Sequence, residues 1–262
     1  MARRAAALGV AAVAATAAVL AAGTGADGPR RADLAVADAL PAPVAPSFTP
    51  GPPHRLGARR HRYLWAPVTR PAAVRSAPDS GAPTIGMLEP TTPEGTRNVV
   101  AVAARGEDRA GHRWVKVRLA VLPNGATGWV PRAALGGYGT VLTRLVVDTE
   151  TLTATLYREG RAVLRAPVGV GTAATPTPRG EFYVRNRLTR YRSPTYGPVA
   201  FGTSARSPQA TDWPAGGFVG IHGTDRPDLV PGRISHGCIR FRNADVLALA
   251  RQMPVGTPVT IR

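Results

Sequence analysis

The chain has 262 residues, of which 44% are apolar and 19% charged, with 29 glycines and 26 prolines. This length suits one large domain or two modest ones, and so much glycine and proline disfavours a mainly helical bundle. The net charge is +17, but 32 of the 33 basic residues are arginines spread evenly along the chain. Because a nucleic-acid footprint is clustered, we expect no nucleic-acid partner; the charge instead favours salt-sensitive attraction to an anionic cell envelope.

The first residues have the features of an export signal. A basic start, Met1 to Arg4, precedes an uncharged Ala/Val/Leu stretch of 18 residues from Ala5 to Ala22. Small residues after such a stretch are typical of a cleaved signal peptide, although the length also approaches that of a membrane anchor. We therefore expect residues 1–26 to be a signal peptide or anchor. The protein is expected to be exported to the cell wall or periplasmic space, with membrane contact only through an uncleaved N-terminal segment.

Residues 27–59 are dominated by Ala, Pro, Gly and Arg and contain almost no large apolar side chain. Such a segment cannot bury enough surface to order itself, and its prolines favour a semi-extended chain. The sequence predicts a disordered linker that holds the later domains away from the attachment point.

Residues 60–137 consist of short β-rich runs separated by turn-like segments. The run Trp114–Leu119 alternates apolar and basic residues, as a half-buried strand does, and Pro123–Gly125 then turns the chain toward Gly128–Val130. The other runs are Ala73–Ser76, Thr84–Leu88 and Asn98–Val102. This pattern predicts a small β-barrel.

This segment resembles the bacterial SH3-like (SH3b) family through its W-x-x-V strand, which begins at Trp114, and its G-W-V run at 128–130. The resemblance implies an SH3-like domain over 60–137 that binds cell-wall polymers or peptides. For Trp114 and Trp129 themselves, burial in the core is the favoured interpretation.

From residue 138 onward the runs are again β-like, and Arg158–Arg161 is typical of a hairpin turn. The runs are Leu145–Asp148, Thr153–Tyr157, Ala162–Leu164, Pro167–Val170, Glu181–Val184, Phe218–Ile221 and Val259–Ile261. One helix is predicted late in the chain, because Asn243 suits the N-cap position and Asp245 the first turn. An apolar stripe over 246–250 follows, and Pro254 ends the helix.

Three reactive side chains fall within one short stretch: His222, His236 and Cys238, the only cysteine of the chain. A thiol with a pKa of about 8.5 is mostly protonated at neutral pH, so a nucleophilic cysteine needs a nearby histidine. His236 faces the same side as Cys238 if the segment is extended, whereas His222 can approach from a neighbouring strand. Gly237 frees the backbone, so that its N–H and that of Cys238 could face a developing oxyanion.

Two other interpretations of these side chains stay open at this stage. Cys238 could be a small buried thiol beside two unrelated histidines. His222, His236 and Cys238 are also good zinc ligands, but the sequence offers no clear fourth ligand and no paired-cysteine spacing. We therefore expect no metal and no cofactor.

The motifs I-H-G-T at 221–224 and S-H-G-C-I-R at 235–240 resemble the signature of the L,D-transpeptidase (YkuD) catalytic domain family. The likeness extends upstream to T-P-T-P-x-G-x-F at 175–182 and downstream to G-T-P-V-x-I at 256–261. The fold that it implies is mainly β. Together the two resemblances predict a small SH3-like β-barrel followed by a β-rich L,D-transpeptidase catalytic domain over 138–262, with one late helix.

The resemblance also implies which residues are catalytic. Cys238 is the nucleophile, His222 is the base that activates it, and the Gly223 carbonyl orients the imidazole. The other members of the catalytic set belong to the S-H-G-C motif: Ser235, His236 and Gly237.

Further positions are expected to line the site. His236 and Gly237 line the oxyanion site together with the nucleophile. Arg240 steadies the loop or meets a substrate carboxylate through its planar guanidinium. Tyr196 and Trp213 belong to the segment that corresponds to the family's substrate-covering flap, and they are the candidates for substrate contact.

Enzymes of this family cleave the bond between the third residue and the D-Ala of a peptidoglycan stem tetrapeptide. They hold the acyl group as a thioester and pass it to an amine of a second stem, which gives a 3→3 cross-link. The resemblance implies this activity here, with donor and acceptor stem peptides as partners. The alternatives are an L,D-carboxypeptidase, in which water takes the acyl group, and a non-catalytic cell-wall-binding protein.

Overall fold

The computed structural model describes residues 54–55, 61–191, 193–210, 213 and 216–262. The predicted export signal and most of the predicted linker lie outside these residues. Within the described ranges, no helix is long and apolar enough to cross a membrane. The described residues all belong to one compact unit, and the boundary between the two expected domains stays a prediction.

The N-terminal part of the described chain forms an eight-stranded sheet in which every neighbouring pair is antiparallel. Its strands are β1 (His54–Arg55), β2 (Tyr63–Pro67), β3 (Ala72–Arg75), β4 (Thr84–Leu88), β5 (Val99–Glu107), β6 (Arg113–Arg118), β7 (Thr127–Pro131) and β8 (Gly139–Val141). The order is β4-β3-β7-β6-β5-β2-β8, with β1 paired to β5. The SH3-like assignment of this sheet stays a prediction.

The alternation predicted for β6 is present and explains the two faces of this sheet. Val115 and Val117 point into one apolar cluster, whereas Trp114 packs with Trp129 and Ala104 in a second, smaller cluster. Trp114 and Trp129 are only 4% and 5% exposed. Their interpretation as core residues is therefore confirmed.

The C-terminal part forms a ten-stranded sheet and one α-helix. The elements are β9 (Thr143–Asp148), β10 (Thr153–Arg158), β11 (Arg161–Pro167), β12 (Gly169–Gly171), β13 (Gly180–Leu188), β14 (Ala200–Arg206), β15 (Phe218–His222), β16 (Gly232–Ser235), β17 (Ile239–Arg240), α1 (Asn243–Ala250) and β18 (Pro258–Ile261). The strand order is β11-β10-β9-β18-β13-β14-β15-β17-β12-β16. The fold is thus mainly β with one late helix, as the sequence predicts.

The hairpin predicted at Arg158–Arg161 joins β10 to β11. Its two central residues, Glu159 and Gly160, have φ angles of 49° and 83°, which is the left-handed conformation that a tight two-residue hairpin requires. The predicted run Pro167–Val170 is split between two strands, because Pro167 pairs with Thr153 of β10 whereas Gly169 pairs with β16 and β17.

The late helix is present, but the prediction for its first residue is wrong. Arg242 occupies the N-cap position without a capping side chain, and Asn243 is the first helical residue. The Asn243 side chain instead accepts a hydrogen bond from the Thr224 N–H at 2.9 Å. Val246 and Leu249 fix the helix by packing into the main apolar core of this sheet. The first turn of the helix therefore lies beside the I-H-G-T motif, to which Asn243 is bonded.

Candidate active site

Two neighbouring parallel strands bring the predicted nucleophile and base to one place. His222 is the last residue of β15, and Cys238 immediately precedes β17. Ile221 pairs with Ile239 in this ladder, so Gly220 lies opposite Cys238. Residues two positions apart on a strand lie on the same face of the sheet. The His222 side chain therefore lies on the same face of β15 as position 220.

The thiol of Cys238 is buried, with the residue only 4% exposed. The Gly220 N–H donates to its sulfur at 3.3 Å. A hydrogen bond to sulfur favours the ionised form of a thiol, since it stabilises the added negative charge. The strand pairing thus supplies a donor that supports a thiolate.

The imidazole of His222 is fixed in one orientation. His222 is 2% exposed, and its Nδ1 lies 2.6 Å from the carbonyl oxygen of Gly223. Because a carbonyl oxygen only accepts, Nδ1 carries the proton, which leaves Nε2 as the nitrogen that can take a proton from another group. This is the tautomer that a general base requires.

The Gly223 backbone is itself held from two sides. Its N–H donates to the Tyr196 carbonyl at 2.9 Å, and the Asn243 side chain binds the next residue, Thr224. A Cβ at position 223 would overlap the Asn243 side-chain oxygen and crowd Gly197. Glycine is therefore required at the position whose carbonyl orients the imidazole.

Ser235 closes the loop that carries Cys238. Its hydroxyl donates to the Cys238 carbonyl at 2.6 Å and accepts from the Gly237 N–H at 3.2 Å. Thr177 anchors the same loop, since its hydroxyl donates to the Gly237 carbonyl at 2.9 Å. Gly237 has a φ of 118°, a conformation that favours glycine. In this structure the Gly237 N–H is thus bonded within the loop.

The two residues of the motif that precede Cys238 do not continue the strand. β16 ends at Ser235, and the chain bends at His236 and Gly237. His236 is exposed whereas Cys238 is buried. The extended geometry that would place both side chains on one side is therefore not the one observed.

Tyr196 and Trp213 form an aromatic series that ends on the imidazole. The ring centroids of Tyr196 and His222 are 4.7 Å apart in an edge-to-face arrangement, and those of Tyr196 and Trp213 are 5.9 Å apart. Tyr191 donates its hydroxyl to the Tyr196 carbonyl, and burial raises the pKa of Tyr191 to about 12. Trp213 is 2% exposed, a packing position; the predicted substrate contacts of both rings stay predictions.

Arg240 lies on β17 opposite His222 in the ladder. Its Nε is buried and has no hydrogen-bond partner among the described residues, while the residue as a whole is half-buried. Because this unpaired Nε is itself buried, the predicted contact of Arg240 with a substrate carboxylate stays a prediction.

Sequence reasoning missed three supports of the site: Thr177, Gly220 and Asn243. Each acts on a residue more than 15 positions away in the chain, through a hydrogen bond that only the folded sheet creates. Within the described residues, no group of three or more His, Cys, Asp or Glu side chains could hold a metal ion.

Comparisons with known proteins place this geometry in a family. The model of the L,D-transpeptidase (YkuD) catalytic domain matches residues 142–261. A putative L,D-transpeptidase YkuD from Bacillus licheniformis is 38% identical over 122 residues, which span 47% of this chain and 67% of that protein. A probable L,D-transpeptidase ErfK/SrfK from Salmonella typhimurium is 31% identical, and the match spans 47% of this chain and 45% of that one.

Among solved structures, the catalytic domain of an Enterococcus faecium L,D-transpeptidase is 28% identical, with a TM-score of 0.36. The match covers 46% of this chain and 96% of that domain.

Proposed function

Because the chain belongs to the L,D-transpeptidase (YkuD) family, we propose that it forms 3→3 cross-links between peptidoglycan stem peptides. The observation that carries this proposal is that β15 ends at His222 and the adjacent parallel strand β17 begins directly after Cys238. The Cys238 sulfur accepts a backbone N–H, and Nδ1 of His222 is committed to the Gly223 carbonyl. Such a cysteine and histidine can perform acyl transfer without a cofactor.

In the first half-reaction, Nε2 of His222 takes the thiol proton. The Cys238 sulfur then attacks the carbonyl carbon of the third residue of a stem tetrapeptide. The C–N bond to D-Ala breaks, the imidazolium returns its proton to the departing amine, and free D-Ala leaves. The acyl group remains on Cys238 as a thioester, which conserves the energy of the cleaved amide for the next step.

In the second half-reaction, the side-chain amine of a second stem attacks the thioester carbonyl. His222 takes a proton from this amine and the new C–N bond forms. The C–S bond breaks, and the imidazolium returns the proton to the sulfur, which regenerates the Cys238 thiol. The carbonyl oxygen carries negative charge in both transition states. We propose that the Cys238 N–H supplies a backbone donor for it, since the Gly237 N–H is bonded to the Ser235 hydroxyl. Ser235 and Gly237 then keep the loop in shape, and His236 lies at its exposed edge.

A surface cavity of about 680 Å³ is lined by Gly197, Asn243 and Asp225, but not by His222 or Cys238. Gly197 and Asn243 both pack against Gly223, whose carbonyl orients the imidazole. We propose that a stem lies along this cavity, next to Tyr196, and that Arg240 binds a carboxylate of the stem. Because peptidoglycan lies outside the cytoplasm, the proposed reaction takes place outside the cell. This location agrees with the predicted export signal and with the predicted wall binding by the N-terminal sheet.

The test is product analysis after incubation of the protein with a disaccharide-tetrapeptide. Release of D-Ala together with cross-linked dimers is the expected result, and Cys238→Ala is the matched control. D-Ala release with tripeptide alone would replace the transpeptidase by an L,D-carboxypeptidase. No Cys238-dependent product with any stem chemistry would overturn the enzymatic proposal and favour a non-catalytic wall-binding protein.

A further inference from the structure

An acidic side chain from the N-terminal sheet is buried in the C-terminal one. Glu94 lies in the turn Thr92–Thr96 between β4 and β5, and its side chain is only 2% exposed. Its carboxylate forms a 2.6 Å ion pair with Arg185 of β13, whose side chain is 3% exposed. We refer to Thr92–Thr96 as the docking turn. Loss of one partner from a buried ion pair of this kind strongly destabilises the folded protein.

The docking turn is held by more than this pair. Asn186 donates to the second carboxylate oxygen of Glu94 at 3.1 Å and to the Thr96 hydroxyl at 3.1 Å. Burial of Glu94 favours its neutral form, but Arg185 and the surrounding donors outweigh this and hold the pKa of Glu94 below its ordinary value. The carboxylate is therefore ionised at neutral pH.

The same carboxylate holds the indole of Trp213. Trp213 donates its Nε1–H to Glu94 at 2.7 Å. The ring lies directly on Gly220, where an added Cβ would overlap it, and it packs edge-to-face with Tyr196. Glu94 thus fixes a side chain that touches both halves of the site: Gly220 donates to the Cys238 sulfur, and Tyr196 packs on His222.

The negative charge of Glu94 also balances two arginines that pack on the first residue of β15. The Arg185 and Arg206 guanidinium groups stack on Phe218, at 3.8 Å and 4.0 Å from its ring centre. Phe218 begins the strand that carries Gly220. Burial lowers the pKa of Arg206, Arg185 lowers it further, and Glu94 acts in the opposite direction. Without the carboxylate, two like charges would remain around the start of this strand.

We propose that Glu94 is a positioning residue for the cysteine-histidine site. It acts through Trp213 on the Gly220 donor and on the Tyr196–His222 contact. This inference rests on one part of the proposed function, namely that Cys238 and His222 are the reacting pair. It makes the N-terminal sheet a required part of the catalytic unit, in addition to any role in wall binding.

The experiment measures alkylation of Cys238 by iodoacetamide as a function of pH, which needs no stem peptide. We expect Glu94→Gln to slow alkylation by about tenfold or more, since a misplacement of about 1 Å can cost up to about a hundredfold in rate. The pH midpoint of alkylation should rise, because a displaced donor stabilises the thiolate less. Glu89→Gln is the matched control, since Glu89 is an exposed acid of the same sheet, and its rate and midpoint should equal those of the wild type.

A second variant keeps the inference testable if Glu94→Gln does not fold. Trp213→Phe removes the N–H donor but keeps an aromatic ring over Gly220, and it should reproduce the slower rate and the raised midpoint. The double variant should lose less than the sum of the two single losses, since Glu94 acts on the site through Trp213.

A folded Glu94→Gln or Trp213→Phe protein with wild-type rate and midpoint would overturn the inference, as would additive effects in the double variant. Inactivity of the wild type on stem peptides would instead count against the proposed function alone.

Discussion

The backbone N–H of Gly220 points at the sulfur of Cys238, with 3.3 Å between nitrogen and sulfur. This contact exists because β15 and β17 run parallel in a register that sets the two residues opposite each other. The other side of Gly220 is covered by the Trp213 ring. A single glycine therefore both supplies the donor and admits the ring.

The first prediction concerns the Gly220→Ala substitution. The added methyl group overlaps the Trp213 ring, and overpacking of this kind lowers the free energy of unfolding by about 1–3 kcal/mol. Displacement of the strand should also lengthen the hydrogen bond from the Gly220 N–H to the Cys238 sulfur. Acylation of Cys238 should slow as a result. Urea unfolding and acylation kinetics measure the two effects.

Gly86→Ala is its matched control. Gly86 lies in edge strand β4, and a Cβ there meets no atom within 4 Å. This variant should unfold and react like the wild type. If Gly220→Ala also behaves like the wild type, the close packing between Gly220 and Trp213 does not support the site.

The second prediction concerns Asn243, which binds the Thr224 N–H beside Gly223. Asn243→Ala leaves the buried Thr224 N–H without this acceptor, which costs about 1–3 kcal/mol of stability. Since the Gly223 carbonyl then loses part of its support, acylation should slow by more than the stability loss explains. Asn243→Asp retains the acceptor oxygen and should restore both the unfolding free energy and the rate. Failure of this rescue would contradict the orienting role of Asn243.

The third prediction concerns Ser235, which binds both the Gly237 N–H and the Cys238 carbonyl. Ser235→Ala removes both bonds at a buried position, so we expect a loss of about 1–3 kcal/mol in the free energy of unfolding. The acylation rate should fall while the affinity for substrate stays nearly constant, because the loop surrounds the reacting carbonyl rather than the rest of the substrate. A lower affinity with an unchanged rate would assign Ser235 to substrate binding instead.

Much of the fold could be predicted from the sequence because alternation and turn residues are local signals. The half-buried strand β6 and the hairpin at Arg158–Arg161 follow from such signals. Strand β14 (Ala200–Arg206) was missed, because it is buried along nearly its whole length and mixes small and polar residues. No alternation marks a strand of this kind.

The reacting residues could be predicted from their motif, but their supports could not. Trp213 and Glu94 are 119 positions apart, and neither has a local pattern that reveals the other. The chain has 16 acidic residues, and nothing in the sequence marks Glu94 as one with a buried side chain. The wrong N-cap prediction for Asn243 has the same cause, since its side chain serves a distant N–H instead of its own helix.

The fourth prediction concerns acid stability. The pKa of Glu94 is lowered from 4.5 in the folded protein, so in acid the unfolded state binds more protons at this group. The stabilisation that it provides is present in full above pH 4.5 and is lost as the pH falls through the lower folded-state pKa. Glu94→Gln should therefore be less stable near pH 7, by about 3 kcal/mol for a broken buried pair, and should show a smaller further loss in acid than the wild type. Urea unfolding between pH 3 and pH 7 tests this, and parallel pH profiles for the two proteins would contradict it.

The central claim is that Cys238 carries the acyl group of a stem peptide. Intact-mass spectrometry with peptide mapping, after rapid mixing with a disaccharide-tetrapeptide and an acid quench, tests it most directly. We predict an adduct on Cys238 with the mass of the donor less D-Ala. The adduct should be absent in Cys238→Ala and strongly reduced in His222→Ala. An adduct on another residue, or turnover of the donor by a folded Cys238→Ala protein, would contradict the claim.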